Sequence, residues 1–205
     1  LLGQLRGTAE ATRMLMDGVK IVRELEQQSG LEIYVQTGSL RIAETADRAQ
    51  EIVDLVQMGK AIDFDIDHIA IEDVAQKLPY MKTDDLLDAC FCPTDGHLQP
   101  AELVSAYIKV GRSHGVQYLT NSPVQGIVVE AGKVIGVDTA DGRLSAPVIV
   151  NAGGPWSYLI ADLVESVLPT AALGHYYLTT RPDESHVVDR HSPAIRNRHH
   201  RIYAR

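Results

Sequence analysis

Cysteine is scarce in this 205-residue chain, and its two copies, Cys90 and Cys92, sit one residue apart. In an extended segment that spacing puts both on one face, where a bridge between them is strained. With no CxxC pair, the spacing of a zinc–thiolate site is missing too. Both are therefore expected as buried, reduced strand residues, in keeping with a reducing compartment. Basic charge is also short: 19 Lys and Arg against 27 Asp and Glu leave a net charge of −8. A nucleic-acid binder needs a basic face for the phosphates, so that class is excluded. No apolar run reaches membrane-spanning length, no secretory leader is visible, and no repeat or low-complexity tract stands out. Asp65 and Asp67 lack the spacing of an EF-hand and read as the polar face of a strand.

What is present is ordinary globular composition, 45% hydrophobic and 22% charged, enough for one or two cores. Charge is uneven: from Arg181 to Arg205, six Arg face Asp183, Glu184 and Asp189, so the tail is +3 and the rest −11. Two readings fit that tail, a solvated face or a lining that attracts a carboxylate.

Helical periodicity covers Thr8–Gln28 (Met14, Leu15, Val19, Val22, Leu25), closed by Gly30, then Thr45–Lys60 and Ile71–Lys77. A further helix opens at Pro100, with Leu103, Val104, Tyr107 and Val110 as its stripe and Gly115 at its end. Extended segments are expected at 31–43, 64–70, 89–92, 116–119, 123–130, 133–139, 144–145, 176–180 and 201–203, with turns at 93–96, 131–132 and 141–142. Pro147–Asn151 is a continuous apolar run of the kind buried on both faces of a sheet, and a third long helix should follow it to about Leu168. The order of elements is α/β with an adjoining mixed layer.

The strongest local signal is Val148-Ile-Val-Asn-Ala-Gly-Gly-Pro-Trp156. Glycines let a backbone approach a ligand closely, and a helix start offers unpaired N–H groups to an anion such as a pyrophosphate. A tight strand-to-helix turn with no ligand fits the same residues. Asp95-Gly96-His97, Pro100 with its helix, Ser122-Pro123-Val124 entering a ribbon, and Asn151-Ala152-Gly153 follow in one order. With Leu1-Leu2-Gly3-Gln4-Leu5-Arg6 and Gly38-Ser39-Leu40-Arg41, that order resembles the D-amino-acid-oxidase-type flavoenzymes across essentially the whole chain. Within them it is most similar to the branch of sarcosine dehydrogenase, dimethylglycine dehydrogenase and dimethylglycine oxidase.

The resemblance implies FAD as cofactor. Val124 would offer its backbone to the adenine, and Ala152, Gly153 and Gly154 would lie along the phosphate and ribityl region. It also implies a small amino-acid-like amine as substrate, oxidised at the C–N bond of its N-methyl group, with His175 and Tyr203 projecting towards the flavin. The imine product would hydrolyse or pass to a folate carrier in a further domain. By the same resemblance, residues 1–30 and 93–169 form a partial Rossmann-like FAD-binding domain, and 31–92 and 170–205 a partial mixed-sheet substrate-binding domain. The family's Gly-x-Gly-x-x-Gly turn lies nowhere in these residues. A fragment is therefore expected, with the histidine that can carry covalent flavin falling just upstream of Leu1. The expected location is cytoplasmic, or the mitochondrial matrix in a eukaryote. Competing readings are a catalytically silent structural subunit or a truncated product of the same fold, or a flavin oxidase of another amino acid or of glycerol 3-phosphate. Trp156 reads as helix packing and His97 as a structural turn residue. His186, His191, His199 and His200 have no acidic or thiol companion at ligand spacing, so no metal is expected.

Overall fold

The computed structural model describes residues 1–181 and 188–204, and the chain divides into two compact units, Leu1–Gln117 with the C-terminal segment, and Tyr118–Arg181. His186 lies outside the described residues.

In the first unit, α1 (Ala9–Ser29) begins where the Thr8 hydroxyl accepts the N–H of Ala11 and ends at Gly30. Its Val22 and Leu25 bury against Ile33, Tyr34 and Ala106, the last from α4 (Pro100–Ser113). Between them run β1 (Tyr34–Gln36) and β5 (Gly96–Leu98), paired antiparallel. The centre of the unit is a mixed five-stranded sheet. It contains β2 (Ser39–Ala43), β3 (Asp67–Ile69), β4 (Asp88–Cys92), β9 (Ala194–Asn197) and β10 (Ile202–Ala204), in the order β10-β9-β2-β4-β3.

Every residue of β2 is buried, because alternate side chains feed two different cores. Leu40 and Ile42 pack with Ala89, Leu86 and Val74 of α3 (Ile71–Lys77). Ala43 faces the other way, with Cys90, Cys92, Leu5 and the Ile52, Leu55 and Val56 stripe of α2 (Ala46–Ala61). Each such fully buried aliphatic side chain contributes about 1.5–3 kcal/mol, which makes β2 the structural axis of the unit. Both cysteines are free and fully buried, as their alternation predicts.

The second unit is an antiparallel meander of β6 (Val124–Glu130), β7 (Lys133–Thr139) and β8 (Gly142–Ser145), followed by a short 3-10 turn, Gly154–Trp156, and α5 (Ser157–Asp162).

Four expectations are corrected. Residues 147–151 form no strand: none of the described strands pairs with them, and Val148 and Val150 are 72% and 83% exposed. An apolar run becomes a buried strand only where neighbours supply both its hydrogen bonds and its cover. The helix after it stops at Asp162 instead of continuing to Leu168. Residues 116–119 and 176–180 are irregular for the same lack of a described partner strand, and their larger apolar side chains are exposed. The overall class, mixed α/β, stands.

Candidate functional site

The chemistry-bearing residues fall into two regions, one in each unit. In the first, strand register builds a row across the sheet: Tyr203 on β10 is opposite Arg196 on β9, Arg196 is opposite Arg41 on β2, and Arg41 is opposite Cys90 on β4. Directly paired residues share a face, so tyrosine, two arginines and a thiol line one surface of the sheet. Ser39 lies one step along the same face, opposite Cys92 and Ala194.

Asp95, 2% exposed, closes over this surface from the turn after β4. Its Oδ2 accepts the Ser39 hydroxyl at 2.6 Å, and its Oδ1 accepts the backbone N–H of Gln4 at 2.8 Å and the Gln4 side-chain amide at 3.2 Å. Gly3 threads between this carboxylate and Arg196, since a Cβ there would stand 3.4 Å from both Asp95 Oδ2 and the Arg196 guanidinium. The Arg41 guanidinium donates to the Leu5 carbonyl, and Arg6 Nη1 donates to the carbonyls of Gly3, at 2.7 Å, and Leu5, at 2.9 Å.

Burial holds all three guanidinium groups below the usual arginine range. Mutual repulsion adds to this, of Arg6 by Arg41, of Arg41 by Arg196 and of Arg196 by Arg6, while Asp95 opposes it. The Tyr203 phenol also acts on Arg196 in the direction that favours its charge. Three cations thus share one buried carboxylate, and Arg196 Nε is buried without a hydrogen-bond partner among the described residues. Excess positive charge on a partly buried surface, with an unused buried donor, suits a seat for an anion. Of this constellation the sequence singled out Tyr203 as a site residue, Cys90 as a buried strand residue, and Arg196 only as part of the basic tail with its two open readings. The one local signal for the rest was Arg41, a charge set inside an otherwise apolar strand.

In the second unit, Val124 opens β6 opposite Thr139, just before a register shift, and is 45% exposed. The Ala152–Gly154 bend is fixed by Asn151, whose Oδ1 accepts the Gly153 N–H at 3.1 Å and whose Nδ2 donates to the Ser157 carbonyl at 2.9 Å. A Cβ on Gly153 would stand 2.6 Å from Ile160 Cδ1, and Gly154 has φ +56°, the left-handed region. The inner side of the bend is full, while Ala152 and Gly154 are exposed, so the outer side presents main chain almost bare of side chains. That surface fits the phosphate–ribityl stretch of a dinucleotide. The six-residue α5 supplies little macrodipole, so any anion contact there would fall to individual N–H groups. Pro155, Trp156 and Tyr158 line an open groove of about 520 Å³ with residues 170–174, immediately before His175. Trp156, 64% exposed, is a wall of this groove and not the buried helix anchor expected. His175 is exposed and lies in an irregular stretch. Val124, the 152–154 bend and His175 thus belong to one unit, and Tyr203 to the other.

A mixed α/β chain with bare glycine main chain in one unit and a buried cationic seat in the other has the parts of a dinucleotide-dependent enzyme. A model of the FAD dependent oxidoreductase family known as DAO matches residues 1–205, and the chain belongs to that family. It is 29% identical over 212 residues to human mitochondrial sarcosine dehydrogenase, covering 100% of this chain and 23% of that protein. It is 28% identical over 208 residues to the mitochondrial pyruvate dehydrogenase phosphatase regulatory subunit of Mus musculus, covering 100% of this chain and 24% of that one. Among solved structures, L-proline dehydrogenase from P. horikoshii superposes with a TM-score of 0.75 at 21% identity, over 80% of this chain and 43% of that one. The chain therefore spans about a quarter of the length of these curated relatives. No helix among the described residues is long and apolar enough to cross a membrane.

Proposed function

We propose that the whole protein oxidises the C–N bond of a small N-methylated amino acid of the sarcosine or dimethylglycine type. FAD, when bound, would supply the hydride acceptor. The observation that carries the reading is the Tyr203–Arg196–Arg41 row beside Asp95, with a buried donor on Arg196 still unused. An amino-acid substrate always carries a carboxylate, and this row would hold it through Arg196 and the Tyr203 hydroxyl. His175 would position the substrate and manage its amine proton, since imidazole changes charge near neutral pH. Val124 would pair its backbone with the adenine, and Ala152, Gly153 and Gly154 would lie along the phosphates. On this reading residues 1–30 and 93–169 serve the cofactor, and 31–92 and 170–205 serve the substrate. The imine would hydrolyse or pass to a folate-binding domain, and a mitochondrial matrix location would follow in a eukaryote.

The test is anaerobic mixing of the full-length protein with sarcosine or dimethylglycine. Bleaching of the oxidised-flavin absorbance is expected; a bound flavin that none of the N-methyl amino acids reduces would overturn the substrate assignment.

A second reading is a catalytically silent subunit, favoured by the match of this chain's whole length to 24% of a regulatory subunit. It expects purified full-length protein with no flavin absorbance, or a flavin indifferent to every amine.

A further inference from the structure

The β9–β10 turn carries a cluster that the flavin chemistry does not use. The parallel pairing of β2 with β9 brings the residue after β2, Glu44, alongside the turn that follows Asn197. Linear spacing shows no acidic companion for His199 and His200; this pairing supplies one. His200 Nε2 lies 2.8 Å from Glu44 Oε2, and one ligand atom from each of Glu44, His199 and His200 falls within 4.8 Å of the other two. The two imidazole rings stand edge to face, with centroids 4.8 Å apart.

The carboxylate is already aimed. Asn197, 6% exposed, donates from Nδ2 to Glu44 Oε1 at 2.7 Å and accepts the backbone N–H of His200 on its Oδ1 at 3.1 Å. One buried amide therefore orients both the carboxylate and the turn that carries the imidazoles, the role outer groups play around metal ligands. Bonds of about 2.0–2.2 Å in a tetrahedral site would set ligand atoms roughly 3.3 Å apart. The His200–Glu44 contact must then open by about half an ångström and His199 must swing in by somewhat more than one. His199 sits on an exposed turn, where rotating an imidazole is cheap.

We infer that Glu44, His199 and His200 form a binding site for a divalent transition metal of borderline softness, zinc first among them. Two neutral imidazoles and a carboxylate are the donor set such an ion prefers, and three protein ligands leave a fourth position for water. The ion would clip the β9–β10 turn to the end of β2. It would thereby stiffen the hairpin that holds Arg196 and Tyr203 without touching either.

The inference is independent of the substrate assignment, and so is its test. Zn²⁺ is titrated calorimetrically into the full-length protein and into its Glu44→Gln, His199→Ala, His200→Ala and His191→Ala variants. One equivalent should bind the unmodified protein. Affinity should fall about tenfold or more in each of the first three variants and stay unchanged in His191→Ala. Binding should also weaken in acid, since protons and the metal compete for the same ligand atoms. Co²⁺ added to the unmodified protein should give the intense visible bands of a four-coordinate ion, a readout that needs no variant to fold. Cobalt bands of the hexaaqua ion alone, or zinc affinity that survives Glu44→Gln and His199→Ala, would overturn the site.

Discussion

Asp95 accepts hydrogen bonds from the Gln4 N–H and the Ser39 hydroxyl and offsets the charge of three nearby guanidinium groups, from a position almost sealed from water. Removing one partner of a buried charge network costs more than the network is worth intact, because the remaining charges stay desolvated. Asp95→Ala should therefore destabilise the first unit by about 3–5 kcal/mol, read as a shift in its urea midpoint, and Asp95→Asn by less. Glu26 works at a different joint. Its Oε1 accepts the N–H groups of Ile33, at 2.9 Å, and Tyr34, at 2.8 Å, while Oε2 accepts from Arg23 at 2.9 Å, so one side chain ties α1 to β1. Burial alone pushes its pKa up, but the Tyr34 N–H, Arg23 and the Ile33 N–H together hold it below the ordinary carboxylate value. A depressed folded pKa gives stability that is present above the unfolded pKa and lost as pH falls through the folded one. Glu26→Gln should cost about 1–2 kcal/mol at pH 7. The gap between variant and parent should close as the medium is acidified below the normal glutamate range. A gap independent of pH would show that shape, not charge, makes the joint.

Elements as short as β1 and β5 persist only through what flanks them. Gly96 pairs with Gln36 on one side and forms a bridge with Leu2 on the other, the Leu2 N–H reaching its carbonyl at 2.8 Å. A Cβ at this position would stand 2.2 Å from the Val35 carbonyl oxygen, so backbone would have to move. Gly96→Ala should cost about 1–3 kcal/mol. It should also loosen the Leu1–Arg6 segment, seen as faster amide exchange at Leu2, whereas Gly7→Ala, with nothing within 4 Å of its Cβ, should leave exchange there unchanged.

Such joints explain what the sequence could and could not convey. The long helices α1, α2 and α4 announce themselves by their 3.6-residue period, and β2, β4, β6 and β7 by alternation or length. Strand β1 lies within the extended segment expected at 31–43, but β5 is three residues long beside an expected turn and β9 carries no local pattern; these two exist because a distant partner holds them. The cationic seat was hidden for the same reason, since Gly3, Ser39, Arg41, Asp95 and Arg196 meet only through that pairing. Conversely, 147–151 had the composition of a strand with no described partner to make it one.

At the scale of the whole molecule, the candidate residues are divided between two units: Val124, the 152–154 bend and His175 in one, Tyr203 and the arginine row in the other. The division lets the roles be separated kinetically. If the row on the sheet receives the substrate carboxylate, losing one charge-assisted contact there removes about 1.5–3 kcal/mol of binding, a roughly ten- to hundredfold rise in KM. Arg196→Gln and Tyr203→Phe in the full-length protein should therefore raise KM with little change in kcat, the mark of an interaction made equally in the bound and transition states. If His175 manages the amine proton, His175→Ala should instead lower kcat and flatten its pH profile, because such a group acts only as the bond changes. Substrate structure gives the sharper control. An N-methyl amine lacking a carboxylate should be a poor substrate for the parent, and Arg196→Gln should cost it almost nothing. Equal losses for the carboxylated and uncarboxylated amines would mean that the row supports the fold of the sheet and does not read the substrate.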